Sequence, residues 1–363
     1  MKTLSLSGFL AAALVPVLSS SPATAQTTIN LPDSLYAAGD TIAWVMRVPT
    51  FCEGPAWDAS TGTVYFTRQH GNNVAQWPIL KIRPGVDTGS VFVAEPMQAN
   101  GLAFDPQGRL VAAQNGRLTR YTSTGAVDTV LTTSGTNGVT FNRANDLSFG
   151  SNGGVYFTAL GTAVYYLSPS RQLTVATNSA TSANGIEWIE EDSAVYVNEQ
   201  TNIRRYRVNP DGSLTNPTVF KTVAGINADG GTVDVNGNRY IANFSGGDLR
   251  IFNARGDSIG IIVPRLVTGT TFDAFSGNTG NVSNAVFGGP DMKTLYITGD
   301  GGLFAIRLKV AGRPSAVTPT SLRAALAARK MAPATERLRD VMGRMVPAET
   351  PASVVRVPTP GVR

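Results

Sequence analysis

Hydrophobic residues occur along this chain in short runs that alternate with polar positions, and turns rich in Gly, Asn and Pro separate the runs. Residues 64–67 and 155–158 both read VYFT, and 295–299 read LYITG. Valine, threonine and the aromatic residues favour strands, and runs of this length are typical of short strands joined by turns. The pattern therefore predicts an all-β protein.

One phrase recurs six times: a polar lead residue, a small residue, an apolar strand, a turn and a second strand rich in aromatic residues. The six lead residues are Glu53, Asn100, Asn145, Asn184, Asp229 and Asn284. They are 47, 45, 39, 45 and 55 residues apart, which is enough chain for four short antiparallel strands per unit. Repeats of this length are the signature of propellers. The sequence therefore predicts a six-bladed β-propeller over residues 26–312.

The turns and the first strand agree with this architecture. Residues 106–108 (PQG), 151–154 (SNGG) and 235–238 (VNGN) are suited to hairpins between the first two strands of a unit. Residues 41–48 (TIAWVMRV) are predicted to form a strand that closes the ring against the last unit, because closure removes exposed edges. The loop between strands two and three should return to the lead-residue end; in the last unit that loop is predicted at 299–302.

The amino terminus resembles an export signal. A positive start, an apolar stretch and the small residues of Ala23–Ala25 predict a signal peptide over residues 1–25, cleaved before Gln26. The apolar stretch is too short and interrupted for a membrane span, and no later segment is long enough. We therefore expect a secreted or periplasmic protein without a transmembrane segment.

Charge separates the carboxyl terminus from the rest. Residues 313–363 contain nine Lys and Arg against three Asp and Glu, whereas residues 26–312 contain 20 against 22. We expect a basic, partly helical or disordered extension, with contact to an anionic surface or partner as the alternative. Nucleic acid is not an expected partner. One Cys and one His exclude an intrachain disulfide and a structural zinc site, and a Ser-His-Asp hydrolase would have to use His70.

The lead residues carry the candidate chemistry. The first residues of the innermost strands reach the same end of a propeller axis, and all six are carboxylates or carboxamides. Six converging oxygen donors suit a hard cation such as Ca²⁺, and the absence of sulfur and imidazole among them disfavours zinc or copper. The competing interpretation is that Asn-Gly and Asp-Gly merely form turns. Glu53 and the pair Asn145-Asp146 argue against it, because neither follows the turn pattern.

Other polar residues are predicted to surround this end. His70 lies in the first strand-two to strand-three loop, where it would contact substrate or assist catalysis. Arg143 precedes Asn145 by two residues and could hold an oxyanion or a hydroxyl. Asn100 and Asn284 complete the predicted substrate contacts, and Glu199 and Asn243 are weaker candidates. Cys52 is interpreted as a small packed hydrophobe.

An ordered set of motifs resembles the gluconolactonase / senescence marker protein (regucalcin) / luciferin-regenerating-enzyme family over about residues 50–312. The motifs are Glu53-Gly54-Pro55, Arg143-x-Asn145-Asp146, Asn184-Gly185, Asp229-Gly230, and FGGP at 287–290 with Leu295-Tyr296. The resemblance implies an axial divalent metal, usually calcium, bound by Glu53, Asn145, Asn184 and Asp229. It further implies that Arg143 contacts substrate hydroxyls and that the substrate is a sugar lactone. FTRQH at 66–70 and FTAL at 157–160 depart from the family's usual phrases.

The expected function is metal-dependent lactone hydrolysis with Asp229 as the general base. Ca²⁺ is the expected ion, with Zn²⁺ and Mg²⁺ left open. A phosphotriesterase-like hydrolase with Asp229 as nucleophile and a non-enzymatic extracellular binding propeller remain the alternatives.

Overall fold

The computed structural model describes residues 28–37, 40–69, 77–161, 163–223, 225–264 and 280–313. All of them lie in one compact unit, Met1–Thr318, and the second unit, Pro319–Arg363, lies outside the described residues. The predicted signal peptide, the predicted helical part of the tail and His70 also lie outside them.

The described residues form strands and two short 3-10 turns, Thr136–Gly138 and Glu190–Asp192. The strands are β1 (Thr28–Asn30), β2 (Ala43–Asp58), β3 (Thr63–Gln69), β4 (Ile79–Ile82), β5 (Ser90–Val93), β6 (Leu102–Phe104), β7 (Leu110–Gln114), β8 (Arg117–Tyr121), β9 (Val127–Thr133), β10 (Leu147–Phe149), β11 (Val155–Thr158), β12 (Val164–Leu167), β13 (Leu173–Thr177), β14 (Ala183–Ile189), β15 (Ala194–Glu199), β16 (Asn202–Val208), β17 (Leu214–Thr222), β18 (Ala228–Val233), β19 (Arg239–Asn243), β20 (Asp248–Phe252), β21 (Ser258–Val263), β22 (Val282–Gly288) and β23 (Thr294–Arg307). The prediction of an all-β protein is confirmed for this part of the chain.

Units two to five of the repeat each form one antiparallel sheet of consecutive strands. Sheet II contains β6–β9, sheet III β10–β13, sheet IV β14–β17 and sheet V β18–β21. Strand β1 adds a fifth strand to sheet V by pairing with β21. The predicted hairpin turns are confirmed: Gly108, Gly153 and Gly237 each donate a backbone hydrogen bond three residues back, with φ near +80°.

Units one and six share one sheet, so the prediction of six separate blades is wrong. Sheet I has the order β22-β23-β2-β3-β4-β5, which leaves five sheets in the described chain. The physical reason is that β2 and β23 continue through both units without a break. The predicted loop at 299–302 is therefore part of β23. The predicted closure is confirmed, because Ala43 pairs with Ala305 and Trp44 with Phe304.

The core lies between successive sheets. Apolar side chains connect sheet I to II, II to III, III to IV and IV to V, and Phe287 of β22 meets Tyr240 of sheet V edge-on. Sheet I also folds on itself, with the Trp57 and Tyr296 rings stacked at 5.7 Å. The packing runs through all five sheets and returns to the first, which makes this a closed all-β propeller. Among the described residues, no helix is long and apolar enough to cross a membrane.

Candidate functional site

The lead residues lie at the same end of their sheets, where the strands are irregular. The strand pairing shifts register at the lead residues of units one, four, five and six, between Glu53 and Ala56, Ala183 and Ile186, Ala228 and Gly231, and Val282 and Asn284. Bulges of this kind redirect side chains and are common beside active sites. Asn184-Gly185 and Asp229-Gly230 lie inside β14 and β18, so the turn interpretation is wrong for these two pairs.

Side chains of one unit hold the backbone at the lead position of the next. Thr67 donates its hydroxyl to the Asn100 carbonyl at 3.0 Å, and Thr158 donates to that of Asn184 at 2.5 Å. The Asn198 amide donates to the Asp229 carbonyl at 2.6 Å. Because each donor is itself buried, these bonds position the lead residues around the axis from a rigid second layer.

Close backbone approach explains the glycines that follow several lead residues. A Cβ on Gly101 would lie 2.6 Å from the Asn145 carbonyl oxygen and 2.7 Å from Asp146 Oδ1. A Cβ on Gly230 would overlap the side-chain amide of Asn284. The glycines therefore allow the lead segments of neighbouring units to touch, which brings their side chains together.

Three carboxylates meet at this end, and we call Glu53, Asp146 and Asp229 the acidic cluster. Glu53 and Asp229 are each 4% exposed. Asn284 hydrogen-bonds both Glu53 and Asp146, the latter with 3.4 Å between Nδ2 and Oδ2. Asn184 hydrogen-bonds Asp229. The structure thus brings together residues from units one, three, four, five and six.

Burial raises the pKa of every carboxyl in the acidic cluster, and repulsion within the cluster adds to the shifts of Glu53 and Asp229. Burial, and then the charge of Asp146, raise the pKa of Glu53 to about 8. Burial raises the pKa of Asp146 to about 6. Burial and the charges of Glu53 and Asp146 raise the pKa of Asp229 well above its usual range. Without a positive charge nearby, the ionised cluster is electrostatically unfavourable.

No arginine or lysine within the described chain is among the groups that shift these three pKa values. Nor do the described residues include three or more His, Cys, Asp or Glu side chains that could hold a metal ion by themselves. A cation here would therefore need carboxamide oxygens beside the carboxylates, and Asn184 and Asn284 each hydrogen-bond members of the cluster. Such a mixed all-oxygen donor set fits a hard divalent ion such as Ca²⁺.

The remaining predicted residues have mixed placements. Asn145 is buried, and its backbone carbonyl accepts a 2.7 Å hydrogen bond from Gly101. Asn100 is half-buried at the equivalent place in unit two. The Arg143 side chain is exposed, two residues before Asn145. His70 lies outside the described residues.

The weaker candidates have structural partners. Glu199 accepts a hydrogen bond from the Tyr206 hydroxyl at 2.7 Å and lies 3.4 Å from Arg204 Nε. Asn243 accepts from the Asn227 backbone and donates to Asp248. Cys52 is fully buried and burial raises its thiol pKa, in line with the interpretation as a packed hydrophobe.

Asp146 belongs to the site but was not predicted from the sequence. Its signal was the Asn145-Asp146 pair, which has a carboxylate where units two and four have glycine. Only the folded ring shows that Asp146 reaches Asn284 of the sixth unit.

Comparison with known proteins shows which family this chain resembles. Residues 51–300 match the family model described as "SMP-30/Gluconolactonase/LRE-like region". A gluconolactonase of Zymomonas mobilis is 26% identical over 312 residues, covering 72% of this chain and 79% of that protein.

Solved structures show the same fold. A gluconolactonase from Xanthomonas campestris superposes with a TM-score of 0.64 at 22% identity, covering 80% of this chain and 99% of that one. A calcium-binding regucalcin from Agrobacterium tumefaciens superposes with a TM-score of 0.61 at 19% identity, covering 78% and 97%. The repeated motifs, the propeller and the family match lead to one conclusion: the chain belongs to the SMP-30/gluconolactonase/LRE-like family.

Proposed function

We propose that this protein is a secreted, metal-dependent lactonase whose site is the end of the propeller that holds the acidic cluster. The observation that carries the proposal is the convergence of three carboxylates and several carboxamides from separate units, with no cationic side chain among the groups that shift their pKa values. The related gluconolactonase of Zymomonas mobilis supports lactones as the substrate class. The calcium-binding structural neighbour supports calcium as the ion.

Glu53, Asn145, Asn184 and Asp229 would hold the ion through side-chain oxygens. When bound, the ion would supply Lewis acidity toward the ester carbonyl of the lactone and neutralise the carboxylates. Asn284, which hydrogen-bonds Glu53 and Asp146, would keep the acidic cluster oriented.

Asp229 would carry out the proton transfers. Its carboxylate accepts a proton from the water that attacks the carbonyl carbon. As the ring C–O bond breaks, the proton passes to the departing ring oxygen. One water is thereby added across the ester, giving a hydroxy acid. Exposed Arg143, with Asn100 and His70, is proposed to contact the substrate.

Metal analysis combined with a lactone panel tests this function. Purified protein should contain about one equivalent of calcium by elemental analysis. It should hydrolyse at least one lactone, lose the activity in chelator and regain it with Ca²⁺. Metal-loaded protein that hydrolyses no lactone would contradict the proposal; activity on phosphotriesters instead would support the alternative hydrolase. Secretion is tested separately, by finding mature protein that begins at Gln26 outside the cytoplasm.

A further inference from the structure

Two phenylalanines from different units touch at the lead-residue end. The rings of Phe51 in β2 and Phe244, just after β19, have centroids 5.4 Å apart and planes at 78°. Both side chains are partly buried. This edge-to-face geometry is a favourable arrangement for two aromatic rings. The two residues come from units one and five and are 193 positions apart in the sequence.

Each phenylalanine lies close along the backbone to a carboxylate of the acidic cluster. Phe51 precedes Glu53 by two residues on a strand, so the two side chains share a face and lie about 7 Å apart along it. The Phe244 backbone N–H donates to the Asn227 carbonyl at 3.0 Å. Asn227 precedes Asp229 by two residues. The aromatic pair is therefore next to the carboxylates that the proposed function uses.

Further apolar side chains lie at the same end. Met97 is 46% exposed, and its carbonyl accepts a hydrogen bond from Asn115 in the turn after β7. Leu160 is 48% exposed in the loop after β11. Both have φ of +48°, a strained conformation for these residue types. Residues kept in such conformations cluster at ligand sites.

A polyhydroxylated lactone needs hydrogen-bonding partners, whereas aromatic and thioether side chains offer dispersion contacts and desolvation of apolar groups. We infer that Phe51 and Phe244 form a substrate-contacting wall that selects lactones with an apolar ring substituent over sugar lactones. The inference rests on the proposed lactonase function and names the substrate class of the same site.

Three lactones with the same six-membered ring isolate the substituent. They are δ-valerolactone, its 6-phenyl derivative and glucono-δ-lactone. For calcium-loaded wild-type protein we expect kcat/KM for the phenyl lactone to exceed that for glucono-δ-lactone by roughly 10-fold or more. Failure to hydrolyse any of the three would contradict the proposed function. Hydrolysis with glucono-δ-lactone preferred would overturn only the apolar specificity.

Variants connect the preference to the ring pair. Phe244→Ala should lower the ratio of kcat/KM for the phenyl lactone over δ-valerolactone by roughly 10-fold, because the lost ring contacts only the substituent. Phe244→Leu retains apolar volume, so its kcat/KM ratio should lie between those of wild type and Phe244→Ala. Phe220→Leu is the matched control. Phe220 lies in the outer strand β17, where its ring packs against Tyr196 of β15. The control should leave the ratio unchanged.

An equal loss on both lactones in correctly folded Phe244→Ala and Phe244→Leu would overturn the specificity role. Folding is checked by thermal unfolding and by calcium binding. If Phe244→Ala does not fold, the graded pair Phe244→Leu and Phe51→Leu gives the answer. If both leucine variants keep the wild-type ratio of kcat/KM for the phenyl lactone over δ-valerolactone, the proposed aromatic wall is contradicted.

Discussion

Asp229 and Asp234 lie at opposite ends of strand β18, and both are buried, yet their surroundings differ. The Asp234 carboxylate accepts four hydrogen bonds, from Asn236 and Asn238 N–H groups, the Asn238 side chain and the Tyr240 hydroxyl. Asp229 accepts hydrogen bonds from the Asn184 side chain and the Gly230 backbone, but it also faces the charges of Glu53 and Asp146. The chain satisfies one carboxylate with its own donors and surrounds the other with further negative charge.

Asp105 shows that this difference belongs to the two ends and not to one unit. It occupies in unit two the place of Asp234, five residues after the lead residue. It accepts hydrogen bonds from the Gln107 and Arg109 backbones and from Arg109 Nε at 2.8 Å. Carboxylates at the turn end thus stabilise hairpins. Under the proposed function, those at the lead end bind a cation.

Substitutions of the lead-end carboxylates should reduce turnover strongly. Asp229→Asn and Glu53→Gln should each lower kcat/KM by roughly 100-fold or more, because each removes charge from the proposed metal site, and Asp229→Asn also removes the base. Initial rates on the lactone that wild type hydrolyses best give the measurement. Asp234→Asn, the matched change at the other end of β18, should stay within about twofold of wild type. Near-normal rates in both lead-end variants would contradict the axial mechanism.

In the presence of chelator, Asp229 and Asp234 should differ in their contribution to folding stability. Asp234→Ala should lower the free energy of unfolding by about 2 kcal/mol or more, because four donors lose their acceptor. Asp229→Ala should lower it by less than about 1 kcal/mol, because removing one buried negative charge relieves repulsion in the acidic cluster. Urea unfolding of metal-free protein measures both. If Asp229→Ala lost more unfolding free energy than Asp234→Ala, the structural role would belong to the lead end and not to the turn end.

Asp146 should contribute to cation binding by the acidic cluster. Asp146→Asn should weaken calcium binding by roughly 10-fold, because one negative charge and the hydrogen bond that orients Asn284 are altered. Calorimetric titration of the chelator-treated protein with Ca²⁺ gives the affinity. Asp105→Asn is the control and should bind calcium as wild type does. Unchanged affinity in Asp146→Asn would exclude Asp146 from the site.

The smallest effect concerns a surface pair and pH. Burial raises the pKa of Asp291, but the hydrogen bonds and charge of Arg307 bring it below its ordinary value. A depressed carboxyl pKa adds stability above the unfolded-state value of about 4, and this stability is lost as pH falls through the folded-state value. Both side chains are over 40% exposed, so solvent screens the pair. Asp291→Asn should cost under about 0.5 kcal/mol at pH 7 and nothing at pH 2.

Thermal unfolding of wild type and Asp291→Asn at both pH values, in low and high salt, measures this contribution. A difference that grows toward low pH would have the wrong sign and would contradict the pair's role.

The strands, the six lead residues and the hairpin turns could be predicted from the sequence alone, because these follow from local periodicity and glycine chemistry that each unit repeats. The sequence also carried the family motifs. The shared sheet of units one and six could not be predicted, because the continuity of β2 and β23 depends on pairing between the first and last parts of the propeller sequence.

Folding brings together side chains that are far apart in the sequence. Asp146 joins Asn284 across 138 positions, and Phe51 joins Phe244 across 193, contacts that no local pattern encodes. The fold also distinguishes Asp229 from Asp234, which lie five residues apart at the two ends of β18. The physical reason is that a carboxylate's role depends on which charges and donors surround it, and ring closure brings those from distant units.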